Sequence, residues 1–179
     1  MNVPTASLIL TAIGDDRPGL VESLAATISR HDGNWLESSM SHLAGKFAGI
    51  VNITLPVDRI DALKAELAAL PGLRVTAEIS DAPSPAAKES GQRKLKLSLV
   101  GHDRIGIVRE VSQVLAKQAI NVESLTTFTS SAAMSASTLF HAVAELTAAP
   151  ELDARALKHE LETLSNDLMV DITLDETIN

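Results

Sequence analysis

Two short segments hold the residues best suited to bind a small molecule. They are GDDRPG at 14–19 and GHDRIG at 101–106. Each lies between an apolar stretch that predicts a strand and an amphipathic stretch that predicts a helix. Free N–H groups at a helix start, together with the positive end of the helix dipole, bind anions such as a carboxylate. Both segments are therefore candidate anion sites.

Glycine and aspartate recur at fixed places in these segments. Gly14 and Gly101 would let another group approach the backbone closely, and Gly19 and Gly106 would let the helix start pack tightly. The aspartates have two possible roles, as N-caps that satisfy the first helical N–H groups or as acceptors for a substrate ammonium group. The sequence alone favours capping, by residues Asp16 and Asp103.

An asparagine follows each predicted helix, as Asn34 and Asn121. Its amide can donate and accept hydrogen bonds, although a turn residue leaving the helix is the simpler interpretation. A helix N-terminus, an aspartate and an asparagine together would suit a small zwitterion.

The two segments belong to a duplicated unit. With an offset of 87, glycine, aspartate, arginine, valine and asparagine positions between 14 and 34 recur between 101 and 121. Later, ALKAELAAL at 62–70 and ALKHELETL at 156–164 share six of nine residues. Matches that keep the same order in both halves indicate a repeat of one structural unit.

Each copy predicts the order strand, helix, strand, strand, helix, strand. In the first copy, strands are expected at 6–13, 34–43, 47–55 and 73–79, with one helix starting at Asp16 and another at 60–70. The second copy predicts strands at 95–100, 121–129, 138–146 and 168–174 and helices at 106–118 and 152–164. This order is typical of the α+β, ferredoxin-like arrangement, with helices on one face of an antiparallel sheet.

A segment rich in Pro, Ala, Ser and charge separates the copies, DAPSPAAKESGQRK at 81–94. It has little to bury and indicates a linker. We expect a first domain at 1–82, a linker at 83–93 and a second domain at 94–179.

Composition excludes several functional classes. The 179 residues carry 23 acidic and 15 basic side chains, so the net charge of −8 argues against a general binder of nucleic-acid phosphates. Cysteine is absent, which excludes disulfides and thiolate metal sites. No apolar run approaches the roughly 18 residues of a membrane span. The first basic residue after the start is Arg17, so we expect no secretory signal and a cytoplasmic protein.

The residues give no catalytic centre. There is no Walker A, G-x-G-x-x-G, G-x-S-x-G or H-E-x-x-H motif, and the five histidines lack zinc-ligand spacing. His42 and His102 could belong to a site, but a structural role is favoured. Ser38, Ser39 and Ser41 have no base spaced to activate them. We therefore predict no enzyme activity, no cofactor and no metal.

The strand–DRPG–helix–Asn pattern, found twice, resembles a pair of ACT domains, the small-molecule-sensing modules of amino-acid metabolism. More closely, the run N-x-x-x-S-x-M-x-x-L-x-G-x-F at 34–47 and the run MSASTLF at 134–140 resemble the glycine cleavage system transcriptional repressor family. The similarity extends from about residue 7 to residue 174.

The resemblance implies a regulator rather than a catalyst. ACT domains commonly bind an amino acid where the first strand-to-helix loop meets a neighbouring domain. The ligand positions that carry over are Asp16, Asn34, Asp103 and Asn121, with the backbone of Gly14, Gly19, Gly101 and Gly106 lining the loops. The implied ligand is glycine, and the implied partner is a transcriptional activator protein rather than DNA or a membrane.

Several alternatives stay open at this point. Ile105 stands where the first copy has Pro18, so the two sites need not be equivalent, and the use of a single site is one alternative. A regulatory subunit that controls an enzyme of amino-acid metabolism is the alternative function. Sheet edges could pair with another copy, so a homo-oligomer is possible, as is a monomer.

Overall fold

The computed structural model describes residues 4–80, 91–131 and 137–177. The chain divides into two compact units, Met1–Pro83 and Ser84–Asn179. The predicted linker stays a prediction, because most of it lies outside the described residues. Arg93, placed in the linker from the sequence, is the first residue of a strand.

The first unit has the predicted order of elements. Its strands and helices are β1 (Thr5–Asp15), α1 (Leu20–Arg30), β2 (Asn34–Leu43), β3 (Lys46–Pro56), α2 (Ile60–Ala68) and β4 (Leu73–Ile79), with a 3₁₀ turn, Val57–Arg59, leading into α2. The strand order is β2-β3-β1-β4, and all neighbours are antiparallel. Each helix therefore joins two strands that have one other strand between them in the sheet.

The second unit repeats this architecture. Its elements are β5 (Arg93–His102), α3 (Ile107–Lys117), β6 (Asn121–Ser131), β7 (Thr138–Ala148), α4 (Ala154–Leu168) and β8 (Val170–Thr177). The strand order is β6-β7-β5-β8, again antiparallel throughout. Even the bulge is duplicated, since the register shifts after Trp35 in β2 and after Val122 in β6. The predicted ferredoxin-like fold is confirmed.

Alternation along the strands sorts side chains between the two faces of each sheet. In β1 the buried residues are Leu8, Leu10 and Ala12, which join helix residues such as Leu24 in one aliphatic core. The intervening Thr11 is exposed on the opposite face. The second unit has a core of its own, built on Leu95, Leu97, Leu99, Val111, Leu115, Leu157 and Leu161.

The last helix ends later than the sequence indicated. It was expected to end at residue 164, but α4 continues to Leu168, which packs in the core with Leu161. The apolar spacing of the helix persists through this last turn, so the expectation that Leu168 begins a strand was wrong. Met169, with φ 54°, ends the helix in the left-handed conformation and directs the chain into β8.

Candidate functional site

The first strand-to-helix turn begins as an extension of the sheet. β1 runs to Asp15, whose carboxylate pairs with Lys46 across the strand pair. That hydrogen bond and the lysine charge hold the pKa of Asp15 below its ordinary value. The next residue, Asp16, donates its backbone N–H to the carbonyl oxygen of Gly45 at 2.9 Å. The turn is thus tied to the hairpin between β2 and β3.

The expected N-cap role of Asp16 is wrong. Helix α1 begins at Leu20, and its N-cap is Gly19, with φ 91° and no side-chain cap. The Asp16 carboxylate instead lies 3.7 Å from Nδ1 of His42, and both side chains are exposed. Among the described residues, no acidic side chain is therefore bonded to the N-terminal end of α1.

The glycines of this turn serve two different purposes. A Cβ on Gly14 would lie 2.1 Å from the carbonyl oxygen of Gly72, so the predicted close approach at Gly14 is confirmed. The tight packing expected at Gly19 is wrong, because a Cβ there would meet no atom of the described residues within 4 Å. Glycine is favoured at position 19 because the backbone there has a positive φ.

The second turn has the same backbone but different side-chain contacts. Gly106 is the N-cap of α3 with φ 102°, again without a side-chain cap, so the expected capping by Asp103 is also wrong. Asp103 donates its backbone N–H to Thr138 O at 2.9 Å, which matches the bond from Asp16. Arg104 pairs with Glu110 of α3 at 3.3 Å, and Ile105 is 99% exposed.

Gly101 confirms the other expected close approach. It lies on β5 in register with Val170, and a Cβ at this position would be 2.3 Å from a methyl group of that valine. For the tight packing expected at Gly106, the neighbour is the Glu110 carboxylate. Its Oε1 lies 3.2 Å from the place that a Cβ on Gly106 would occupy.

The two asparagines do not lie beside the turns of their own units. Asn34 opens β2 opposite Thr54, which pairs with Ser7 near the start of β1. Ser7 is eight residues before Asp15, or about 26 Å along the strand. The predicted grouping of Asp16 with Asn34 is therefore not assembled within the first unit.

Asn121 occupies the corresponding place in the second unit, opposite Thr147. Its amide donates to Glu123 Oε1 at 2.6 Å, and the Thr147 hydroxyl donates to the same oxygen at 2.7 Å. These two hydrogen bonds, that from Thr147 first, lower the pKa of Glu123. The first unit has Leu36 at this position, so Asn34 has no equivalent carboxylate partner.

One serine–histidine pair was not predicted from the sequence. Ser130 Oγ lies 2.7 Å from His141 Nε2, and the His141 ring stacks on Phe128 with centroids 4.5 Å apart. The residues lie on neighbouring strands, which only the sheet register reveals. The stack and the hydrogen bond hold β6 against β7.

Across residues 4–80, 91–131 and 137–177, His, Asp and Glu side chains form no group of three suited to a metal ion. None of the helices in the described part of the chain has the length and apolar character that a membrane span requires.

The first unit matches a known protein family. Residues 6–74 match the model of the ACT domain family, and this range contains both the GDDRPG segment and Asn34. The first unit is an ACT domain. The second unit lies outside that match but repeats the element and strand order of the ACT domain. No curated protein matches the chain by sequence.

Two solved structures are similar over nearly the whole chain. An unknown protein from Galdieria sulphuraria matches 98% of this chain and 100% of its own, at 29% identity and a TM-score of 0.83. A "putative glycine cleavage system transcriptional repressor" matches 98% of this chain and 99% of its own, at 20% identity and a TM-score of 0.73. The predicted resemblance to tandem ACT proteins is confirmed, and the second structure shares the fold.

Proposed function

We propose that the chain is an amino-acid-responsive regulator of glycine cleavage genes, with glycine as ligand and a transcriptional activator protein as partner. The observation that carries the proposal is the ACT match over residues 6–74, because it includes the uncapped turn before α1. The fold shared with the glycine cleavage repressor over nearly the whole chain supports the same function.

The chemistry of the turn suits an amino acid. The first N–H groups of α1 have no side-chain cap among the described residues, and the helix dipole adds positive potential there, so a carboxylate is favoured. The Asp16 carboxylate does not cap the helix and can accept hydrogen bonds from an ammonium group. Glycine carries both groups two bonds apart, without a side chain to accommodate.

Regulation would follow from differential affinity. A ligand shifts an equilibrium only as far as it binds one conformation better than another, and the same coupling acts on the partner in reverse. The net charge of −8 favours a protein partner over the phosphate backbone of DNA. Glycine binding would thus change the affinity for the activator.

Calorimetric titration of the purified chain with glycine, and with serine and alanine as controls, tests the ligand. We expect saturable binding of glycine that is weakened by Asp16→Ala. Asp153→Ala is the matched control, because Asp153 caps α4 and lies outside the proposed site. The fluorescence of Trp35, the single tryptophan, gives a second signal from the first unit. No heat with any of the three amino acids would refute the ligand-sensing mechanism.

Co-purification from the native cell tests the partner. Recovery of a transcriptional activator, with a yield that changes when glycine is added, supports the proposal. Recovery of a metabolic enzyme would instead assign the chain as a regulatory subunit of that enzyme.

A further inference from the structure

The two turns have nearly the same backbone but different electrostatic surroundings. Gly19 has φ 91° and ψ −2°, and Gly106 has φ 102° and ψ −9°. At the fourth residue of the following helix, the first unit has Ser23 and the second has Glu110. Both donate their backbone N–H to the carbonyl of the N-cap glycine at 2.9 Å. The positions are equivalent, so the difference lies in the side chain.

The Glu110 side chain folds back over its own turn. Oε2 lies 3.3 Å from Nη2 of Arg104, and Oε1 lies 3.2 Å from the place that a Cβ on Gly106 would occupy. Only 28% of this side chain is exposed. The carboxylate therefore lies on the second turn, close to the start of α3, where it also neutralises the arginine.

The first turn is open at the same place. A Cβ on Gly19 would meet no atom of the described part of the chain within 4 Å, and Ser23 brings no charge. Glu22, in the first turn of α1, is exposed and forms no hydrogen bond or ion pair with the described residues. Arg17 donates to Pro71 O at 2.6 Å, in the turn before β4.

We propose that Glu110 closes the second turn to carboxylate ligands, so that the chain binds one amino acid, at the first turn. This inference rests on the proposed function, since it specifies which of the two turns is used. A carboxylate held over a helix start opposes the positive potential that would attract a ligand carboxylate, and its pairing with Arg104 leaves that arginine unavailable to the ligand. Glu110 is thus a specificity-determining residue that keeps a duplicated site empty.

Exchange of the two residues tests the inference by the number of glycine molecules bound per chain. Calorimetric titration with glycine should give one site for the natural chain, two for Glu110→Ser and none for Ser23→Glu. The double variant should again bind one glycine. Glu162→Ser is the control for loss of a negative charge, because Glu162 is an exposed residue of α4 that pairs only with Lys158 among the described residues, at 4.0 Å. This control should bind one glycine, like the natural chain.

The possible results separate this inference from the proposed function. Two sites in the natural chain, or one site in both Glu110→Ser and Ser23→Glu, would overturn the role of Glu110 while leaving glycine sensing in place. No binding by the natural chain or by Glu110→Ser would overturn the proposed function, and the inference with it. Circular dichroism of each variant checks that a lost site is not a lost fold. If Ser23→Glu does not fold, a gain of one site in Glu110→Ser alone decides the matter.

Discussion

The guanidinium of Arg17 donates a hydrogen bond to the carbonyl oxygen of Pro71 at 2.6 Å, across 54 positions of the chain. This bond joins the turn between β1 and α1 to the turn between α2 and β4. Gly72, which follows Pro71, has φ 78°, and a Cβ at this position would clash with the Arg17 guanidinium. Its carbonyl oxygen lies too close to Gly14 for a Cβ to fit there. The candidate ligand turn is therefore supported by a backbone contact that only glycine permits.

Two glycine substitutions should differ in cost because they disturb different features. Gly14→Ala forces a Cβ against a backbone oxygen and should lower the free energy of unfolding by about 3 kcal/mol or more. Gly19→Ala meets no atom, so only its left-handed φ is strained, at about 1–2 kcal/mol. Urea unfolding followed by Trp35 fluorescence measures both. An equal loss, or a larger one for Gly19→Ala, would contradict the contact at Gly14.

Replacement of an aspartate that caps a helix should lower the stability more than replacement of one that does not. Asp153 accepts hydrogen bonds from the backbone N–H groups of Arg155 and Ala156, at 3.0 and 3.1 Å. Its replacement by alanine should cost about 0.5–2 kcal/mol. Asp103→Ala, in the same unit, should cost less than about 0.5 kcal/mol because its side chain caps no helix. Thermal unfolding followed by circular dichroism compares them, and a larger effect at Asp103 would show that it supports the fold after all.

The sequence predicted the element order correctly because apolar periodicity is a local signal that survives folding. Strand alternation around Leu8 and Leu10 and helical spacing from Leu20 to Ile28 are both visible in the chain. Helix starts were less predictable. Asp16 has the residue type of a cap, yet its N–H bonds to Gly45 in a hairpin 29 positions later, and no local pattern encodes that bond.

The candidate site was only partly predictable for a related reason. Asp16 precedes α1 and Asn34 follows it, so an 11-residue helix of about 16 Å separates them within the unit. The recurrence of aspartate and asparagine in both copies did not reveal the distance between Asp16 and Asn34. The contact between Glu110 and the second turn depends on a side-chain conformation, which spacing alone does not determine.

Core truncations should cost much more than truncations at the surface. Leu63 in α2 and Leu157 in α4 are both 0% exposed, one in each core. Replacement of either by alanine removes buried methyl groups and leaves a cavity, so the free energy of unfolding should fall by about 2–5 kcal/mol. Val57→Ala is the control because Val57 is 47% exposed, and it should cost less than about 0.5 kcal/mol. Chemical denaturation measures all three, and a small loss at Leu63 or Leu157 would contradict the core as described.

Acid should weaken the first unit through Glu66. Its carboxylate accepts a hydrogen bond from Arg30 Nε at 3.0 Å and lies 2.7 Å from His31 Nε2, joining the end of α1 to α2. These hydrogen bonds, that to Arg30 first, hold the pKa of Glu66 below its ordinary value of 4.5. Because the pKa is lower in the folded state, the stabilisation is present above about pH 4.5 and is lost as the pH falls through the folded-state pKa.

Glu66→Gln should therefore flatten the acid limb of the stability curve. Urea unfolding followed by Trp35 fluorescence, from about pH 6 down to about pH 3, should show the variant less stable than the natural chain at pH 6. The two curves should converge as the carboxylate of the natural chain is protonated. Glu78→Gln, on β4 of the same unit, is the control, because Glu78 forms no hydrogen bond or ion pair with the described residues. A Glu66→Gln curve parallel to that of the natural chain would show that the Arg30–Glu66–His31 contacts do not stabilise the unit.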